Sequence, residues 1–304
     1  MRFEGIYTPV ITPHDADMGI DRDGFVAVVE HLIQAGVAGL IVAGTTGEYY
    51  AQTRDERLEL MRLARQATAG RVPLIVGTGA FRTEESIDYA QQAVEAGADA
   101  VLISTPPYST PTERENALHA LAVDRAANLP VMLYNYPGRT GADMGEEFLD
   151  RVGRSTNVQA IKESSGDINR VHLLARDYPH IQLACGMDDQ ALEFFAWGAR
   201  SWVCAGSNFA PEAHIALYRA CVRDGDFDRG RRIMSAMLPL MRVLEQGGKF
   251  VPCIKYGMEL RGLPGGAPRR PLMPLNKDEK REFRQVVEVM DRTIQAIEAE
   301  EHAR

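Results

Sequence analysis

Short apolar runs, many of them β-branched, recur through the first two-thirds of the chain, at residues 6–11, 40–42, 72–76, 100–103, 131–134, 158–161, 181–184 and 202–205. Their shortness and continuity predict eight buried strands rather than half-exposed ones, which would alternate apolar and polar positions. Between them lie amphipathic stretches of helical period, clearest at residues 25–35, 54–67, 84–96 and 114–127. Several stop at a glycine (Gly36, Gly70, Gly97), the residue that most readily ends a helix in the left-handed conformation. Strand and helix alternate, which predicts parallel strands joined by crossover helices. Eight such units favour a closed barrel over an open doubly wound sheet. The open sheet usually carries GxGxxG after its first strand; here Thr12-Pro13-His14-Asp15 follows instead. The predicted fold is therefore α/β, a (β/α)8 barrel.

After residue 205 the pattern is helical only, at residues 211–223, 227–244, 251–261 and 277–299. Pro264, Pro268, Pro271 and Pro274 mark a turn-rich link before the last helix. A barrel of this type needs ~250 residues, fewer than the 304 present. The division predicted is a barrel over residues 1–224 and a C-terminal helical extension over 225–304. Phe227, Ile233, Met234, Met237, Leu238, Met241 and Leu244 form a stripe at helical spacing that would pack this extension on the barrel's outer helices.

Composition adds exclusions. With 45% hydrophobic and 25% charged residues the chain reads as globular, not disordered or fibrous. A net charge of −8 with no basic block argues against nucleic-acid or anionic-membrane partners. No apolar stretch is long enough to span a bilayer, and the N-terminal residues lack a signal-peptide pattern, so a cytoplasmic location is expected. Four cysteines without CxxC, and histidines without HxxxH or HExxH, predict neither a disulfide framework nor a metal site. The acidic cluster Asp15, Asp17, Asp21 and Asp23 misses EF-hand spacing and reads as a solvated loop and helix start.

The chain has 29 arginines and five lysines, and no lysine precedes Lys162. Lys249, Lys255, Lys277 and Lys280 all lie in the helical tail. Lys162 follows a strand run, and by period two it shares a face with Val158 and Ala160. Inside a barrel its amine would be desolvated, its pKa lowered, and its neutral form able to add to a carbonyl as a Schiff base. The other reading is a strand-end lysine reaching water and paired with Glu163. The C-terminal end of a barrel strand, where catalytic groups lie, favours the first.

One unit earlier, Tyr134 ends the fifth strand and could shuttle the protons imine chemistry requires. It could equally be a core tyrosine with one hydrogen bond. Arg139 lies in the loop beyond, where a guanidinium could grip a carboxylate. The second strand runs into Gly44-Thr45-Thr46-Gly47-Glu48, whose hydroxyls and N–H groups suit a small anion. Thr105-Pro106-Pro107-Tyr108 brings another phenol to the rim.

Taken together, Gly44–Glu48, Tyr134-Asn135-Tyr136-Pro137-Gly138-Arg139-Thr140-Gly141 and Ile161-Lys162-Glu163 resemble, in order and spacing, the dihydrodipicolinate synthase / N-acetylneuraminate lyase family of class I aldolases. The resemblance covers nearly the whole chain. It implies a TIM barrel with a C-terminal helical extension, no cofactor and no metal. It implies that Lys162 forms a Schiff base with pyruvate or another 2-oxo acid, with Tyr134 as proton donor and acceptor. Thr45 and Tyr108 match the relay residues, Tyr108 reaching across a subunit interface in the family. Thr46, with the Gly47 backbone, would hold the 2-oxo acid's carboxylate. Gly186 and Val203 match positions lining the site, and Arg139 the arginine that binds the second substrate's carboxylate in the synthases. A homotetramer, a dimer of dimers, is implied.

Some residues depart from that pattern. Gly248-Lys249-Phe250-Val251-Pro252-Cys253-Ile254-Lys255 replaces an Asn-Pro-Ile-Pro-type stretch, Tyr49-Tyr50 is bulky, Tyr136 stands for Val and Cys204 for Ser. The aldehyde half of the reaction is thereby left open between condensation with aspartate semialdehyde and the aldolases, sugar-acid dehydratases and pyrroline-carboxylate deaminase of the same family. Two other classes are a catalytically silent ligand-binding barrel and a phosphate-binding barrel using Cys204-Ala205-Gly206-Ser207.

Overall fold

The structure is a computed structural model and describes residues 1–302. Eight parallel strands close on themselves in sequence order: β1 (Gly5–Pro9), β2 (Gly39–Val42), β3 (Leu74–Gly77), β4 (Ala100–Ser104), β5 (Val131–Asn135), β6 (Val158–Glu163), β7 (Gln182–Cys185) and β8 (Ser201–Val203). β8 returns to β1 through Ile6↔Trp202 and Tyr7↔Val203. The predicted runs at 6–11 and 202–205 overshoot. β1 ends at Pro9; the Val10 N–H still donates to Ile41 O (2.9 Å), and the Ile11 N–H turns to Asn208 Oδ1 (3.1 Å). Cys204 and Ala205 likewise leave β8 for a tight turn.

Helices alternate with the strands: α1 (Arg22–Ala35), α2 (Arg54–Thr68), α3 (Thr83–Glu95), α4 (Glu113–Ala127), the single turn α5 (Pro137–Thr140), α6 (Glu146–Val152), α7 (Ile168–Asp177), α8 (Ala191–Ala196) and α9 (Pro211–Tyr218). Thr53 and Thr112 start α2 and α4 with reciprocal capping boxes. The predicted helix over 211–223 is α only to Tyr218; residues 219–223 widen into a π turn. Of the acidic cluster, Asp21 caps α1, and Asp15 accepts from the Asp17 and Gly19 N–H groups.

Side chains sort into two layers. Phe3, Tyr7, Ile41, Ile75, Ala100, Leu102, Met132, Ala160, Ala184 and Val203 fill the barrel interior. A larger apolar layer separates strands from helices. Val158 belongs to that outer layer, not to the inner face with Ala160. The register slips here: Val131 pairs with Val158 but Met132 with Ala160. One extra residue in β6 breaks the period-two alternation, and Lys162 keeps only Ala160 as its inward neighbour.

Three further helices follow: α10 (Phe227–Gln246), α11 (Phe250–Leu260) and α12 (Lys277–His302). α10 packs along α12 and against α9. Ile233, Met234, Met237, Leu240, Met241 and Leu244 are its buried stripe. Phe227 and Leu238, predicted within that stripe, are 36% and 44% exposed. Leu240 takes the inward position instead, because a 3.6-residue repeat carries Leu238 past the edge of the packed face. Among the described residues no helix is long and apolar enough to cross a membrane.

Candidate active site

The strand ends open into a pocket of ≈ 540 Å³ that includes Thr45, Thr46, Tyr134, Tyr136, Arg139, Lys162, Gly186, Asp188, Val203 and Glu245 in its walls. A second cavity of ≈ 870 Å³ adjoins it, sharing Thr45, Tyr134 and Arg139 and continuing past Tyr49, Tyr50 and Phe81.

Lys162 is the inward residue at the end of β6, paired in register with Tyr134 on β5 and Ala184 on β7. It is 8% exposed, and its Nζ lies 4.1 Å from the centroid of the Tyr134 ring. Burial lowers its pKa, since the ammonium loses its water; the acids Asp188 and Glu245 pull the other way. Glu163 is not its partner. That carboxylate faces out of the barrel, accepting from Asn135 Nδ2 (2.9 Å), Arg170 Nη2 (3.3 Å) and the Ser165 N–H (2.7 Å). Gly186 explains how a long side chain fits here. A Cβ at that position would stand 2.6 Å from Lys162 Cγ and 2.8 Å from Cε, closer than carbon atoms approach.

Tyr134 is half-buried at the pocket wall, and desolvation pushes its phenol pKa well above the ordinary range. Thr45 lines the same pocket as the phenol and opposes part of that rise. The turn after β2 brings Thr45 and Thr46 to the pocket floor. Among the described residues neither of their N–H groups donates a hydrogen bond, leaving two donors and two hydroxyls beside Lys162. Gly47 does not line the pocket: its N–H is taken by Gly44 O (3.1 Å), and its carbonyl accepts from Thr12 Oγ1 (2.8 Å) and Gln52 Nε2 (2.6 Å). A Cβ on Gly47 would meet Val10 O at 2.9 Å. Its part is to let the turn close.

Arg139 sits on the single helical turn α5, its guanidinium 5.3 Å from the Tyr136 ring centroid and 5.8 Å from that of Phe250. Tyr136 and Phe250 thus pin the arginine at the pocket mouth. Tyr108 is not brought to Lys162 within one chain. It stands 91% exposed with φ 73, on the loop after β4.

Two acids in the pocket escaped the sequence reading. Asp188 opens the turn after β7 and accepts from Trp202 Nε1 (2.8 Å). Burial, reinforced by Glu245, pushes its carboxyl up to about 8. Glu245 comes from α10, so the C-terminal helices contribute to the pocket wall. Nearby Cys185 and Cys204 are buried and their thiols pushed well up, which leaves them unreactive. Ser207 donates to Cys204 O (2.6 Å) and pairs with Thr8 Oγ1 (2.7 Å). Its hydroxyl is spent inside the fold, which removes the main donor of the phosphate-binding reading. Among the described residues no cluster of three His, Cys, Asp or Glu could hold a metal ion.

This arrangement can be compared with known proteins. The 4-hydroxy-tetrahydrodipicolinate synthase of Exiguobacterium sibiricum is 37% identical over 272 residues, 89% of this chain and 92% of that protein. A solved 4-hydroxy-tetrahydrodipicolinate synthase from Methylacidiphilum fumariolicum superimposes with TM-score 0.93 at 29% identity, covering 98% of this chain and 99% of the other. YagE of E. coli K12, a prophage protein of the dihydrodipicolinic acid synthase family solved in complex with pyruvate, gives TM-score 0.89 at 30% identity, covering 96% and 99%. The family model described as the dihydrodipicolinate synthetase family matches residues 2–290. With its barrel and its relatives in agreement over nearly its whole length, the chain belongs to the dihydrodipicolinate synthetase family.

Proposed function

We propose that the protein is a Schiff-base lyase that condenses pyruvate with aspartate semialdehyde, without metal or cofactor. The observation that carries this reading is the buried Lys162 amine in register with the Tyr134 phenol, beside the open donors of Thr45 and Thr46. The relatives' names and the pyruvate complex of YagE support the choice of substrates.

Each group then has a task. Thr46 and the N–H groups of the Thr45-Thr46 turn receive the pyruvate carboxylate. The neutral Lys162 amine adds to C2 of pyruvate; proton transfers through Tyr134 and Thr45 let the carbinolamine oxygen leave as water. The resulting iminium withdraws electrons, so C3 loses a proton and becomes an enamine carbon. That carbon attacks the aldehyde, whose oxygen takes a proton, while Arg139 holds the second substrate's carboxylate. The amino group of aspartate semialdehyde then gives up its ammonium proton and adds to C2, closing a six-membered ring, and a proton passes to the Lys162 nitrogen as its bond to C2 breaks. Gly186 and Val203 shape the wall behind the imine. Tyr108 enters this scheme as a relay residue supplied to a neighbouring subunit's pocket, in a homotetramer built as a dimer of dimers. A cytoplasmic setting fits these substrates.

The test is turnover of pyruvate with L-aspartate semialdehyde, followed by formation of the cyclic product. The wild type is expected to form it and Lys162→Ala to form none. Turnover that survives in Lys162→Ala would refute the mechanism. Efficient turnover of keto-deoxy sugar acids or hydroxypyrroline carboxylate, with none of the condensation, would move the chain to a paralogous reaction on the same lysine.

A further inference from the structure

The pocket has two charged walls. Arg139 stands on one, at the mouth between Tyr136 and Phe250. Glu245 stands on another, delivered by the last turn of α10. Arg139 already has its task in the scheme above, whereas Glu245 has none. Among the described residues its carboxylate makes no hydrogen bond and no ion pair within 4 Å, although Lys162 and Arg139 both act on it electrostatically. Glu245 is half-buried at the pocket wall, so a partly desolvated carboxylate faces the pocket without a donor. A bound molecule that displaces the remaining water can supply the missing donor.

We propose that Glu245 is a specificity-determining residue that receives the cationic amino group of the second substrate, while Arg139 receives its carboxylate. The inference rests on the condensation reading above and deepens it. A dipolar partner, carrying ammonium and carboxylate on one carbon, is complementary to a pocket lined by one guanidinium and one carboxylate. An aldehyde with a carboxylate alone would satisfy Arg139 and leave Glu245 bare. Asp188 is the other acid of the pocket. Its carboxyl is buried and accepts from Trp202 Nε1 (2.8 Å), and burial pushes it up to about 8. Its carboxylate already has the Trp202 N–H as a partner, whereas Glu245 has none among the described residues. Burial also raises the Glu245 carboxyl, and Asp189 adds to this; Lys162 and Arg139 oppose it.

The experiment compares L-aspartate semialdehyde with succinate semialdehyde, which keeps the aldehyde and carboxylate and lacks the amino group. Aldehyde consumption is measured at saturating pyruvate with the full chain. The wild type is expected to prefer the amino aldehyde. E245Q is expected to lose about 10- to 100-fold of that preference, the worth of a hydrogen bond between charged groups, mainly through KM for the amino aldehyde. E245D, which keeps the charge on a shorter arm, is expected to recover part of it. Borohydride trapping of pyruvate on Lys162 serves as the control in each variant. An unchanged preference in E245Q with trapping intact overturns the role of Glu245. So does a wild type that consumes both aldehydes equally, or one that traps pyruvate and turns over neither. Failure of the wild type to trap pyruvate at all would instead overturn the Schiff-base reading beneath it.

Discussion

At the scale of single residues, the arrangement turns on an amine and a phenol that share a dry wall. Lys162 is 8% exposed and Tyr134 is half-buried. Burial moves their pKa values in opposite directions, the amine down and the phenol up. Both are therefore driven toward neutral forms, which suits a nucleophile and a proton carrier. Removing the phenol oxygen should leave the amine able to form the imine but deprive later steps of their proton carrier. Tyr134→Phe is expected to slow turnover by about 10²–10⁴ while pyruvate can still be trapped on Lys162. Equal loss of trapping and turnover would mean that the ring holds the lysine rather than moving protons. Lys162 was legible in the sequence because no lysine precedes it and it closes a strand run. Asp188 was within reach of the same logic, lying two residues past Gly186 at the end of β7. Glu245 was not. It lies 83 residues beyond Lys162 (245 − 162), and only the packing of α10 brings it to the pocket.

At the scale of elements, the turn after β2 depends on the C-terminal helices. Lys255, on α11, is 1% exposed, and its Nζ meets Glu48 Oε1 at 2.8 Å, Thr12 O at 2.8 Å, Ala267 O at 2.9 Å and His14 Nδ1 at 3.0 Å. The other Glu48 oxygen accepts from the Arg269 N–H (2.7 Å). Glu48 itself sits at φ 61, a conformation a non-glycine residue keeps only when its surroundings enforce it. The buried pair thus locks the residue that directly follows Thr45-Thr46-Gly47. Removing one member leaves the other charged and dry. Lys255→Met is expected to cost about 3–5 kcal/mol of stability, read from the denaturant midpoint. The double variant Lys255→Met with Glu48→Gln should cost less than the two single changes summed. Additive losses would show that the pair is not a unit. Helix and strand positions came from pattern, but this link did not: the sequence shows Lys255 only as one of four lysines in a helical tail. Charge pairing between residues 207 positions apart (255 − 48) has no local signature.

At the scale of the whole molecule, the barrel was legible because eight strand–helix repeats leave few other closed solutions. Its register was not. The slip between Val158 and Ala160 depends on how β6 meets β5, and it moved Val158 out of the face on which Lys162 lies. The stretch beyond the barrel was visible first as surplus length, with an apolar stripe that fitted α10 except at Phe227 and Leu238. In the structure the helices of that stretch do more than cover an outer face. Through Glu245 and Phe250 they close the pocket, and through Lys255 they brace its floor. Tyr108 stands exposed on the loop after β4, and the relay role proposed for it would draw on a neighbouring subunit. The central claim is that this whole framework presents one reactive amine to a 2-oxo acid. The most direct measurement is incubation with pyruvate, reduction by borohydride and mapping of the modified residue by mass spectrometry. A single reduced adduct on Lys162, absent from Lys162→Ala, is the result predicted. No adduct, or adducts on the other four lysines with Lys162 untouched, would contradict it.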